Sequence, residues 1–200
     1  MFRKAAEERM RKLRGLSRLD ELAWRIAAAW DEAYAGAQQE QHSDVAFVHH
    51  VESLKLPPRL VSPAEYAAAK LQMQELASDP KSQRKMLWEQ RVVDRYLQQE
   101  AGTIEPYQIE LHTLRLGEIA IATNPFELFT DYGIQMKARS KALQTFVIQL
   151  AGEGTYLPTD RAAAGGGYSA IVQSNRVGPE GGQVLVESTV ARINSLWTNP

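Results

Sequence analysis

The sequence predicts an α/β protein, a mixed β-sheet packed with helices, forming a single domain over residues 1–200. Two observations lead there. Stretches whose apolar residues recur every three or four positions alternate with stretches of β character. Beyond Gly102, two β segments are joined by a turn so short that they must be antiparallel neighbours. Within the domain, residues 1–15 read as a basic N-terminal arm or helix. Residues 16–100 read as a mainly helical part with one strand, and residues 103–200 as the sheet-forming part.

In chain order, MFRKAAEERMRKLRG carries six cations against Glu7 and Glu8, a net +4. Only Phe2, Met10 and Leu13 offer it an apolar face, so it reads as a solvated helix or arm, or as a docking surface. The spacing of Leu19, Leu22, Ala23, Ile26, Ala27, Trp30 and Ala33 predicts a helix over 17–35, capped by Ser17 with Asp20 three residues on. VAFVHHVESLKL has strand character and stops at Pro57-Pro58. Ser62-Pro63-Ala64-Glu65 is a helix start with cap, N1 proline and N3 glutamate, and Asp79-Pro80 repeats the signal, giving a helical pair.

IELHTLRL and EIAIATNP are the two strands joined through Leu116-Gly117-Glu118. Asn124-Pro125-Phe126-Glu127 predicts a helix to about Ser140, and the apolar run ALQTFVIQLA a strand buried on both faces. A loop-rich segment over 152–167 precedes a last helix from Pro179 to Trp197, with Val186, Val190, Ile193 and Trp197 on one stripe.

Composition narrows the function classes. A chain that is 44% hydrophobic builds a packed core. A formal net charge of −1 gives no support to nucleic-acid binding. There is no cysteine, which excludes disulfides, thiolate metal sites and cysteine nucleophiles. No apolar run is long enough to span a membrane. The N-terminus lacks the apolar core of a secretory signal, so the expected location is cytoplasmic if the start is native and exported if the chain derives from a longer precursor.

No HExxH, Walker A, GxSxG or GxGxxG signature is present, and Gly165-Gly166-Gly167 lacks the lysine and spacing of a phosphate loop. His49 and His50 are adjacent on a strand and point to opposite faces, so they cannot jointly hold a metal. His42 and His112 belong to no motif. Glu127 has two readings: an N3 helix-start glutamate, or a carboxylate at a strand end, where α/β proteins place their sites. Tyr156 and Tyr168 also have two: aromatic packing, or phenols that ligate a metal or donate to an oxyanion.

The stretches LRLGEIAIATNPFELFTDYG, TFVIQLAGEGTYLPTDRAAAGGGY and SNRVGPEGGQVLVESTVARI resemble the neutral/alkaline (non-lysosomal) ceramidase family, particularly its bacterial ceramidase-like members. The resemblance is strong over about Leu114 to Trp197 and looser from Gly15 to Tyr96, and it matches the C-terminal half of the family's catalytic domain. It implies a zinc-dependent amidohydrolase that cleaves the N-acyl amide of ceramide-like lipids, with Glu127 and Tyr156 as metal ligands. Tyr168 would assist the tetrahedral intermediate.

The family's zinc-ligating histidines, general base partner and carboxylate-binding arginine lie in its N-terminal half, which this sequence does not include. His42, His49 and His50 do not fall on those positions. The expectation is therefore a half-site, inactive alone and without a complete zinc site. Its expected partners are the missing half or a second copy, and its expected substrate a lipid-like amide. The alternative is a non-enzymatic interaction or ligand-binding protein that keeps the fold; a ligand-binding module would require a large apolar cleft near the glycine loop.

Overall fold

The computed structural model describes residues 2–197. The backbone divides into two compact units at Val45 and Ala46. The first holds helices α1 (Phe2–Leu13) and α2 (Arg18–Ala37). Ser17 and Asp20 close the capping box that starts α2, each bonding the other's backbone N–H. Glu21 is buried and draws in Arg25 at 2.9 Å and Arg11 at 3.9 Å. The apolar stripe of α2 is exposed, with Leu19, Ile26 and Trp30 all more than two-thirds accessible.

The second unit opens with strand β1 (Phe47–Leu56), followed by α3 (Pro63–Leu76), a 3₁₀ turn (Pro80–Ser82) and α4 (Gln83–Glu100). The capping box at Ser62 and Glu65 forms as its spacing requires. α3 and α4 pack around Val61, Ala69, Val92 and Val93, with Tyr66 stacked on Tyr96 at 4.3 Å. β2 (Tyr107–Leu116) runs antiparallel to β1, and β3 (Ile119–Thr123) folds back on β2 through Gly117, whose φ of 58° suits glycine at the turn.

After β3 the chain departs from the expectation. The helix read from Asn124 begins only at Thr130. Asn124 uses its side chain to accept the Phe126 N–H, turning the chain rather than capping a helix. Glu127–Leu128 then forms a short strand, β4, before α5 (Thr130–Arg139). The cause is a non-local partner, since the Glu127 N–H donates to Thr155 and the Phe129 N–H to Leu157. Gly154 permits this approach, because a Cβ there would lie 2.0 Å from the Pro125 carbonyl oxygen.

β5 (Gln144–Ile148) lies parallel to β3 at the edge of the sheet, whose order is β1-β2-β3-β5. Its expected burial on both faces is not met. Thr145 is buried, but Phe146, Ile148 and the flanking Leu143 and Leu150 are exposed.

β6 (Tyr156–Leu157) pairs parallel with β4, and α6 (Asp160–Gly165) and α7 (Pro179–Ser195) complete the unit. α7 lies against β1, β2 and β3 and buries Val186, Val190 and Ile193 of the expected stripe. Phe126, Tyr132, Met136, Leu157 and Leu185 join it in the main core.

No described helix is long and apolar enough to cross a membrane.

Candidate functional site

The pairing of β4 with β6 sets Glu127 directly beside Tyr156. Tyr156 is thus a strand residue rather than a loop residue. The neighbouring Glu127 carboxylate, an acceptor for the phenol proton, is the main cause of its pKa being raised; burial and the negative charge of Glu127 add to it. Tyr168 lies in the loop after α6, its ring edge-on to Tyr156 at 5.8 Å and 80°. Trp88 of α4 packs on the same Tyr168 ring at 5.9 Å. All four side chains line one open cavity of about 660 Å³.

What fixes these residues is a polar network in and behind the cavity wall, to which Arg95 and Asn175 belong. Asn175 is buried, and its side-chain amide donates to the backbone carbonyls of Tyr156 (3.1 Å) and Ser169 (3.0 Å). Its oxygen accepts from Arg59 at 2.8 Å, and Arg59 also reaches the Ala170 carbonyl and Glu65. Arg95 donates to the carbonyls of Asn175 and Val172. Burial, assisted by the charges of Arg59 and Arg176 and opposed by Glu65, lowers Arg95 to about 10, so it remains a cation at neutral pH. On the far side, Tyr132 donates to the Pro158 carbonyl at 2.8 Å. Its pKa is raised by burial first and by Asp160, Glu180 and Asp131 second, which keeps it a donor.

The cavity wall carries Arg91, Arg95 and Arg176 against Asp94, Glu105 and Glu127, so it has no dominant sign of charge. It also carries Ser174, whose hydroxyl is buried and has no hydrogen-bond partner. A buried hydroxyl without a partner costs about 1–3 kcal/mol.

A resident zinc does not fit the residues present. Glu127 and Tyr156 supply two oxygen donors, whereas a catalytic zinc takes three protein ligands plus water. Among the described residues no group of three His, Asp or Glu side chains converges. None of the histidines lines the cavity: His42 contacts Glu40, and His49 contacts His112.

Sequence reasoning singled out Glu127, Tyr156 and Tyr168, which the fold brings together, but gave no part in the site to Trp88, Ser174, Asn175, Arg59 or Arg95. Asn175 and Arg59 are 116 residues apart, and no local pattern marks such a bond.

No protein-family model matches the chain, and no curated protein matches it. Two solved structures resemble it weakly. One is a ceramidase complexed with C2, at 14% identity and a TM-score of 0.40, covering 44% of this chain. The other is the neutral ceramidase from Pseudomonas aeruginosa, at 15% identity and a TM-score of 0.41, covering 46%. Each match spans 15% of the ceramidase's own length.

Proposed function

We propose that the cavity bounded by Glu127, Tyr156 and Tyr168 binds an N-acyl amide and forms one wall of an amidohydrolase site. The chain alone does not complete that site. The observation that carries this reading is the convergence of the three residues, 41 positions apart at the extremes, on one cavity. Cavity size falls in the range of small-molecule sites, roughly 300–1,000 Å³.

Each residue has a chemical task in this reading. Trp88 and Tyr168 offer ring faces to an acyl chain. Glu127 and Tyr156, side by side on β4 and β6, present a carboxylate and a phenol to the amide. Hydrolysis requires in addition an activated water, and the nitrogen donors that would hold a zinc to activate it must come from another segment or chain. The family resemblance of the sequence supports the amide as the reacting bond; ceramide-like lipids are one substrate class within it.

The test is an assay of the isolated chain, with and without added zinc, on a short-chain N-acyl amide. No turnover is expected in either case, together with saturable binding that Tyr156→Phe and Tyr168→Ala each weaken about tenfold, the loss of one hydrogen bond or ring contact. Turnover by the isolated chain would overturn the incomplete-site reading. Absence of binding would overturn the cavity assignment.

A further inference from the structure

The sheet has a second feature, away from the cavity. β1 and β2 pair in a register that sets His49 opposite Leu114 and Val51 opposite His112, so both imidazoles stand on the sheet face turned away from α7. The Nε2 of His49 lies 3.1 Å from the Nδ1 of His112, with the rings 5.3 Å apart and nearly parallel. Such a contact requires one of the two nitrogens to present a lone pair. Neither ring has another hydrogen-bond partner among the described residues.

Two nitrogens bound to one tetrahedral zinc, with Zn–N bonds of about 2.0–2.1 Å, stand about 3.4 Å apart. The pair is therefore spaced as two adjacent ligands are. Among the described residues no third His or carboxylate joins them. The site is half of a tetrahedral set.

The surroundings indicate what supplies the other half. Phe47 and Val51 of β1, Leu116 of β2, and Phe146 and Ile148 of β5 are exposed on the same face. With strands about 4.8 Å apart and about 3.3 Å per residue, the apolar part of this face covers roughly 300 Å². That is well below the ~800 Å² per partner of a stable interface. Apolar contact alone is too small to hold a partner, and a metal bridge would add the missing attachment. A second copy laid face to face across a two-fold axis brings an identical His49–His112 pair to the same point, turning two donors into four.

We propose that His49 and His112 are a divalent-metal half-site that a second copy of this chain completes, giving a zinc-bridged dimer through the open sheet face. The site is separate from the Glu127 cavity and does not depend on how that cavity is read.

Sedimentation velocity of the full chain with increasing zinc chloride tests it. Zinc is expected to convert monomer to dimer at half an equivalent per chain, reversibly with EDTA. His49→Ala and His112→Ala should each raise the zinc concentration required at least tenfold, and Glu127→Gln should leave it unchanged. Cobalt(II) in place of zinc should give the intense visible absorption of a four-coordinate site, lost in His112→Ala. Zinc bound one per chain in a monomer would overturn the proposal. So would a dimer indifferent to EDTA, or zinc-induced association that both histidine variants retain.

Discussion

Replacing Asn175 by alanine is expected to cost roughly 3 kcal/mol of stability and to loosen the cavity wall. Three hydrogen bonds meet at this buried side chain, and each is worth about 1 kcal/mol net. One partner carries the largest share of that loss. Arg59 loses an acceptor in a half-buried setting, where a charge with too few partners is costly. Asn175→Asp should be no rescue, since a carboxylate accepts from Arg59 but cannot donate to the Tyr156 and Ser169 carbonyls. For a unit of this size a loss of about 3 kcal/mol corresponds to a fall in Tm of roughly 6–12 °C, measurable by thermal unfolding. Because Asn175 and Tyr156 both line the cavity, amide affinity should fall in parallel. A variant with unchanged Tm would show that the polar wall holds nothing.

Gly182→Ala is expected to be comparably damaging, for a steric reason. A Cβ at this position would stand 2.3 Å from the Cζ and Oη of Tyr132. That ring is buried in the core and tied through its hydroxyl to Pro158, so it has nowhere to move. Overpacking of this kind costs about 1–3 kcal/mol, and here the broken bond to Pro158 adds to it. Gly133→Ala in α5 is the matched control. Nothing lies within 4 Å of its added Cβ, and removing a helical glycine should stabilise by about 0.5–1 kcal/mol. In a Tyr132→Ala background the Gly182→Ala penalty should vanish. Persistence of the penalty there would assign it to the helix backbone and not to the ring.

Local chemistry was readable from the sequence, and non-local chemistry was not. Ser62-Pro63-Ala64-Glu65 becomes a capping box because all its partners lie within four residues. Asn124-Pro125-Phe126-Glu127 carries the same signs yet forms a turn and a strand, since Tyr156 and Leu157 offer its backbone a pairing that a helix start cannot match. The apolar run of β5 suggested a buried strand, but burial depends on what covers a face, which the run does not encode. The stripe of α2 is equally regular and equally exposed.

The candidate site divides the same way. Glu127, Tyr156 and Tyr168 were legible through the resemblance, whereas Ser174 and Asn175 acquire meaning only from what surrounds them. Trp88 joins from α4, 80 positions before the Tyr168 ring it packs on. The likeness of His49 and His50 to a ligand pair misled nothing, because strand alternation separates them. The pair that does form, His49 with His112, is set by the β1–β2 register.

The most direct test of the central claim, that Glu127, Tyr156 and Tyr168 share an amide-binding cavity, uses the four tryptophans as reporters. Trp88 alone lines the cavity, while Trp24, Trp30 and Trp197 lie elsewhere. Titrating a short-chain N-acyl amide into the labelled chain while recording the indole N–H resonances should shift the Trp88 signal saturably. The other three should stay fixed, and Tyr168→Ala should weaken the response. Shifts confined to Trp24, Trp30 or Trp197, or no saturable shift at all, would contradict the account.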